Sequence, residues 1–201
     1  MVRSLEAGRR VTIEIEDDFV DGAVVRTPGE LTFSIVRDLV KHLEVVEEGR
    51  VCTEQLDLYQ VDGIVAEPAG ALATAALDAI AEEIVGKSVV CVLSGGNNDV
   101  ARYDEIIERS LVHQGLKHYF IVDFPQRPGA LRQFLDECLG PSDDIVLFEY
   151  IKKNDREFGP GVVGVQLAER DDLAPLLQRI TASGLDVQEV PPNSPLFRLL
   201  V

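Results

Sequence analysis

The sequence predicts two structural classes in one chain: an α/β segment over residues 1–115 and an α+β, ferredoxin-like unit over 116–201. Three observations lead there. In the first part, short apolar runs alternate with amphipathic helical patterns, ending in the run Val89-Val90-Cys91-Val92-Leu93 before Ser94-Gly95-Gly96-Asn97 and a further helix. Strands that alternate with helices imply an α/β layer with a parallel sheet. After Gly115 the order becomes βαββαβ within the remaining residues, the split βαβ arrangement. Finally, 46% hydrophobic against 27% charged residues is enough apolar material for packed cores.

Residues 1–28 are polar and broken, with a short strand at 11–15 and turn signals at Asp21-Gly22 and Thr27-Pro28-Gly29. Leu31, Ile35, Leu39 and Leu43, flanked by Val36 and Val40, repeat at helical spacing and predict an amphipathic helix. Residues 44–46 read as a brief strand. A second helix over 47–60 uses Val51, Cys52, Leu56 and Tyr59. Glu67-Pro68 opens a third, because proline lacks only an N–H that the first helical turn leaves unpaired anyway. The alanine-rich stretch 69–85 reads as one helix buried against a sheet and ended by Gly86. Residues 89–93 form the next strand. Asn97, Asn98 and Asp99 can cap the helix over 100–114, with Tyr103, Ile107 and Leu111 on its inner face. Two or three short strands cannot cover four helices, so this layer is incomplete.

In the second part, 117–124 is a strand and 129–139 a helix with Leu131, Phe134, Leu135 and Cys138 inward. Strands at 144–152 and 161–168 flank a polar turn at Asn154-Asp155. A helix over 171–183 and a strand over 185–190 complete the unit.

A formal charge of −16 over 201 residues argues against nucleic acid or an anionic membrane as partner, since both need a basic face. No segment approaches the ~20 consecutive apolar residues of a membrane span, and the first ten residues lack a secretory apolar core. Cys52, Cys91 and Cys138 are odd in number, widely spaced and free of CxxC. They read as buried or incidental thiols of a reducing, cytoplasmic compartment, not as metal ligands.

Ser94 and Gly95 stand where a strand's carboxyl end opens into a crevice, the serine able to donate or accept and the glycines admitting a ligand close to the backbone. The plain alternative is a turn that only reverses the chain. Glu67 is either a site carboxylate or a charge favoured by a helix amino terminus. Arg127-Pro128-Gly129-Ala130-Leu131 shapes a strand-to-helix entry whose exposed N–H groups can receive a carboxylate, or simply connects two elements. His42, His113 and His118 have no metal-ligand spacing, and Glu14, Glu16, Asp17, Asp18, Glu47 and Glu48 read as solvated charge.

Four motifs then stand in order: Glu67-Pro68-Ala69-Gly70-Ala71, Leu93-Ser94-Gly95-Gly96-Asn97, Ile106-Ile107-Glu108-Arg109 and Phe124-Pro125-Gln126-Arg127-Pro128-Gly129-Ala130-Leu131. With Asp21-Gly22-Ala23-Val24-Val25 and Gly29-Glu30-Leu31-Thr32-Phe33, they resemble the C-terminal part of the biosynthetic threonine dehydratase (threonine ammonia-lyase) family over nearly the whole chain. Pro28 departs from the pattern, where an apolar residue is expected.

The resemblance implies part of a PLP fold-type-II (tryptophan-synthase-β-like) catalytic layer over 1–115 and an ACT-like regulatory domain over 116–201. It implies a lyase that uses pyridoxal 5'-phosphate to convert L-threonine to 2-oxobutanoate and ammonia in isoleucine biosynthesis. It places Ser94 at the cofactor's pyridine nitrogen, with Gly95 and Glu67 beside the cofactor. The Arg127, Gly129, Ala130 and Leu131 turn would take isoleucine or valine as effector, in a homo-oligomer. A neutral hydroxyl at the ring nitrogen leaves the ring less electron-withdrawing than a carboxylate there would, which suits β-elimination.

The family's Schiff-base lysine and glycine-rich phosphate loop belong to its amino-terminal half. None of the lysines Lys41, Lys87, Lys117, Lys152 and Lys153 lies in such a context. The expectation is therefore a C-terminal segment with no catalytic residue of its own, no cofactor bound by this chain alone and no dehydratase activity. The competing expectations are a free-standing branched-chain amino-acid sensor and a dimerising interaction module.

Overall fold

The computed structural model describes every residue except 16, 151, 153–155, 193 and 201, and the chain divides into Met1–Ser110 and Leu111–Val201. The first unit holds α1 (Val2–Glu6), α2 (Glu30–Leu39), α3 (Glu48–Gln60), α4 (Pro68–Ala75), α5 (Ala81–Ile84) and α6 (Tyr103–His113), whose last turn contains the division. Its core gathers Phe19, Val20, Val51, Cys52, Leu58, Ala66, Ala71, Ala75 and Ile106. Gln55 lies in that core without penalty to its amide nitrogen, which donates to the Ala66 carbonyl at 2.9 Å and ties α3 to the entry of α4.

Several expectations for this unit are corrected. None of 11–15, 44–46 and 89–93 is a strand, and the described residues of this unit contain no parallel sheet. A strand exists through its neighbour's hydrogen bonds, and the apolar run 89–93 has no neighbouring strand among the described residues. The helix predicted over 69–85 breaks after Ala75. Thr74 turns its hydroxyl back to the Ala71 carbonyl at 3.0 Å, and a 3-10 turn at Asp78–Ile80 leads into α5. Asp78 there accepts from the Arg50 guanidinium at 2.6 Å. On α3 the buried face is Val51, Cys52, Gln55 and Leu58, while Tyr59 is exposed against Tyr103, ring centroids 5.7 Å apart.

α2 ends at Leu39, and of its side chains Phe33 is the buried one; Leu31, Ile35 and Leu39 point outward. Asp99 does cap the turn leading into α6, its carboxylate accepting from Ala101 N–H at 2.9 Å. The inner face of α6 is Ile106 and Ser110, one residue round from the predicted Ile107.

In the second unit the predicted order appears intact: β1 (Lys117–Pro125), α7 (Ala130–Cys138), β2 (Asp144–Tyr150), β3 (Phe158–Gln166), α8 (Leu173–Ala182) and β4 (Asp186–Glu189). The strands form one antiparallel sheet in the order β2-β3-β1-β4, with Phe120 opposite Val163 on one side and Glu189 on the other. Pairing of β2 with β3 shifts register between Ile145 and Leu147. The predicted turn at Asn154-Asp155 lies outside the described residues.

Phe120, Val122, Phe124, Phe134, Cys138, Val163, Val165, Leu167, Leu176 and Ile180 make the core. Phe134 of α7 meets Phe124 of β1 edge to face at 5.4 Å. Burying such a side chain stabilises by roughly 1.5–3 kcal/mol. The end of α7 is closed from α8: Arg179 donates to the Cys138 carbonyl and to Asp143, each at 2.7 Å. Leu131 and Leu135, expected inward, are the outer apolar residues of α7.

Candidate functional site

The Ser94-Gly95-Gly96 stretch and the entry to α4 come together although 27 residues lie between Gly95 and the N-cap Glu67 it contacts. Glu67 N–H donates to the Gly95 carbonyl at 3.1 Å. The approach is closer than any side chain would allow. A Cβ on Gly95 would sit 2.2 Å from the Glu67 carboxylate oxygen, and a Cβ on Gly70, in the first turn of α4, would sit 2.3 Å from the Gly95 carbonyl. Gly96 has the same relation to Val65, whose carbonyl would lie 2.8 Å from an added Cβ. Glycine here serves close packing of backbone on backbone.

Pro68 at the first helical position explains why the chain turns into α4 directly after Glu67. Ser94 is exposed beside this crossing, with Glu67 half-buried. Asn98, two residues beyond the glycines, has both polar ends of its side chain buried and without a partner among the described residues. The structure therefore brings Glu67 and Gly95 into contact and leaves the Ser94 hydroxyl at the surface. That set fits one edge of an aromatic heterocycle: a hydroxyl for a ring nitrogen, on a turn braced from behind by Gly95 and Glu67.

The second site belongs to the other unit. A cleft of about 420 Å³ is lined by all four predicted effector residues, Arg127, Gly129, Ala130 and Leu131, together with Phe124, Pro125, Arg132, Leu135, Phe148 and Tyr150. Gly129 is the N-cap of α7 with φ +90°, a left-handed conformation that L side chains rarely adopt. Its carbonyl accepts the first helical bond, from Gln133 N–H at 2.9 Å. The first turn of α7 borders the same cleft, whose cations are Arg127 and Arg132, and the Ala130 N–H at its start donates to the Arg127 carbonyl at 3.4 Å. Phe148 and Tyr150 pack edge-on against Phe124 at 5.8 and 5.7 Å, giving the cleft a rigid apolar wall. A carboxylate at one end and an aliphatic group at the other are what such a cleft can hold.

Sequence reasoning missed a third cluster. Asp17 and Glu48, expected as solvated charge, are drawn around Arg109, which donates to them at 2.8 and 3.2 Å and to Glu105 at 2.9 Å. The Arg102 and Arg109 guanidinium groups both lie 4.6 Å from the Phe19 ring centroid. Burial and the neighbouring Asp17 push the Glu48 carboxyl up to about 7. Asp17 goes the other way: burial opposes the shift, and its hydrogen bond from Arg109 overcomes that to hold it below its usual value. Glu105 and Arg109 at i,i+4 were legible as a pair; Asp17, 92 residues away, was not. Glu16 of the same acidic stretch lies outside the described residues.

The histidines are not without carboxylates: His42 meets Glu44, and His118 lies 3.0 Å from Glu189. Cys52 and Cys138 are buried free thiols, Cys52 pushed up to about 12 by desolvation, and Cys91 is half-buried. Among the described residues no group of His, Cys, Asp or Glu could hold a metal ion, and no helix is long and apolar enough to cross a membrane.

Residues 1–95 match the family model of pyridoxal-phosphate dependent enzymes, and residues 108–200 match that of the C-terminal regulatory domain of threonine dehydratase. The chain is 54% identical to the biosynthetic L-threonine dehydratase IlvA of Mycobacterium tuberculosis over 204 residues, covering 100% of this chain and 47% of that protein. Against the enzyme of the same name in Bacillus subtilis it is 52% identical over 198 residues, 98% of this chain and 47% of the relative. The chain thus spans about half the length of the curated relatives it matches. Among solved structures, the processed form of threonine deaminase isoform 2 from Solanum lycopersicum aligns with a TM-score of 0.51 at 29% identity, over 54% of this chain and 31% of that one.

Proposed function

We propose that this chain, similar over its whole length to the carboxyl-terminal part of biosynthetic threonine dehydratases, supplies two parts of such an enzyme: one edge of the cofactor site and the amino-acid-sensing domain. The observation that carries the reading is the cleft at the start of α7, where every residue expected to bind effector lines one cavity. Its chemistry suits isoleucine or valine. The effector carboxylate would meet Arg127 and the N–H groups opening α7, and its branched side chain would lie against Leu135, Phe148 and Tyr150.

In the first unit, pyridoxal 5'-phosphate would supply an electron-withdrawing ring for eliminating water from L-threonine, and a water is taken up again as ammonia leaves to give 2-oxobutanoate. Ser94 would donate its hydroxyl proton to the ring nitrogen, or accept from it, without adding a full charge. Gly95 would keep the backbone close behind the ring, and Glu67, held by its own N–H on the Gly95 carbonyl, would fix the turn that presents Ser94. None of these three groups bonds covalently to substrate, so this chain alone would not convert threonine. The site would be completed by the half of the relatives' length that this chain does not span, in a cytoplasmic homo-oligomer.

Calorimetric titration of the purified chain tests the regulatory reading. Isoleucine or valine should bind saturably, with threonine as control, and Gly129→Val should weaken that binding by forcing a side chain into a left-handed backbone. An unchanged isotherm for Gly129→Val would remove the cleft as the effector site. Because the second unit has a complete sheet and its own core, it can express this binding by itself, which also accommodates a free-standing sensor.

A further inference from the structure

An α-amino acid carries three groups to be recognised: a carboxylate, a side chain and an ammonium. The cleft at the start of α7 offers Arg127 to the first, and Leu135, Phe148 and Tyr150 to the second. Its charged lining residues are Arg127 and Arg132, and none of the described lining residues is a carboxylate. An ammonium drawn from water into such a cleft needs an acceptor, because an unpaired charge is costly to bury. The backbone of the turn is largely engaged. The Pro125 carbonyl accepts from Arg127 N–H at 2.8 Å, the Arg127 carbonyl from Ala130 N–H at 3.4 Å and the Gly129 carbonyl from Gln133 N–H at 2.9 Å.

Gln126 stands between two lining residues and has an acceptor to spare. Its own N–H donates to the Glu157 carbonyl at 2.8 Å and its Nε2 to the Phe158 carbonyl at 3.0 Å, which ties it to the start of β3. A carbonyl partner settles which arm of the amide is nitrogen. The other arm, Oε1, is buried and without a partner among the described residues. A Cβ on Gly159 would sit 3.2 Å from Gln126 Nε2 and 3.4 Å from Tyr150 Cε2, so the amide and the ring edge converge above one glycine. Tyr150, Pro125 and Arg127 all line the cleft, which puts the orphan oxygen at its end.

We infer, on the reading of this cleft as an effector site, that Gln126 recognises the effector's ammonium and makes the cleft selective for α-amino acids over the 2-oxo acids of the same carbon skeleton. The terminal torsion of glutamine is broad and soft, so Oε1 turns toward the ligand while Nε2 keeps its hold on the Phe158 carbonyl. A neutral oxygen suits the place. It accepts from the ammonium without competing for Arg127, as a carboxylate there would. In an enzyme that releases a 2-oxo acid, such selectivity lets the sensing domain answer to an amino acid and ignore accumulating product.

The test is calorimetric titration of the purified full chain with isoleucine and with its 2-oxo acid, before and after Gln126→Met, which keeps the side chain's length and removes both polar arms. The unaltered chain should bind isoleucine about tenfold or more tightly than the 2-oxo acid, the worth of one hydrogen bond to a charged group. Gln126→Met should abolish that preference by weakening isoleucine alone. Arg127→Met should weaken both ligands alike, because both carry the carboxylate. The backbone bond from Gln126 to Glu157 does not use the side chain, so slow exchange of that amide in Gln126→Met reports an intact turn. Equal affinities in the unaltered chain overturn the inference without any variant. So does a preference that survives Gln126→Met. Equal loss of both ligands, or loss of the amide's protection, makes Gln126 only a brace between β1 and β3 and overturns it too. Those failures leave the effector reading standing, whereas an unaltered chain that binds neither ligand removes that reading and this inference together.

Discussion

Residues 1–110 and 111–201 face the same problem, how to satisfy an extended backbone inside an apolar core, and reach different outcomes. In the second unit every described strand finds its neighbour within the unit. β1 pairs with β3 and β4, β2 with β3, and both helices close over a core centred on Phe120 and Phe134. In the first unit the apolar run 89–93 is as hydrophobic as β1 yet forms no ladder among the described residues, and its core is made by helices and by Phe19 and Val20. A split βαβ unit carries all its partners within itself, whereas one strand of an α/β layer depends on strands contributed from elsewhere. The first unit therefore keeps an apolar extended segment that no described strand pairs, and the second does not.

The contrast can be sharpened by substitutions read with residue-resolved NMR during urea unfolding, so that each unit reports separately. The largest effect is expected from Phe134→Ala, which empties the centre of the second core. It should cost the second unit about 3–5 kcal/mol and leave the first unit's midpoint unchanged. A parallel loss in the first unit would show that the two stabilities are not independent.

Gly70→Ala probes the first unit's closest approach of a glycine to backbone. Its Cβ would meet the Gly95 carbonyl at 2.3 Å, backbone against side chain with no flexible tip to yield. A loss of about 1–3 kcal/mol is expected, with faster exchange of the Glu67 amide proton, whose acceptor is displaced. Normal protection of that amide would disprove the account of the glycines.

The pH dependence of the two units should differ as well. Glu48 titrates near 7 in the folded unit against an ordinary value of 4.5, so the folded state holds its proton more tightly than the unfolded chain. That contribution is fully present below about pH 4.5 and is lost as pH rises through 7. Asp17, held below its usual value, contributes in the opposite sense and only in the acid range. Between pH 5 and 8 the first unit should lose about 1–2 kcal/mol, and Glu48→Gln should flatten the slope. A slope that survives the substitution would place the titration elsewhere.

The smallest effect is expected from Asp99→Ala, which removes the cap before α6. It should cost the first unit about 1 kcal/mol, measured as a shift in its urea midpoint.

Much of the candidate chemistry was legible. The second unit's element order could be read because its apolar runs are bounded by turns or helix starts and its main strands β1 and β3 are each nine residues long. The cleft at the start of α7 was legible because Arg127, Gly129, Ala130 and Leu131 lie within five consecutive residues. Contiguity failed for the first site: nothing in Glu67-Pro68-Ala69-Gly70 or Ser94-Gly95-Gly96 says that the two segments touch.

By itself, the sequence determined the element order of the second unit and where Pro68 and Asp99 start helical turns in the first. Those properties depend on neighbours within a turn or two. The tertiary structure alone decided that the stripe on α2 faces outward, that 89–93 stays unpaired and that Asp17 and Glu48 close on Arg109. The reason is physical: periodicity states that an element has two faces, but which face is buried, and which carboxylate loses its water, depend on groups brought close only when the chain folds.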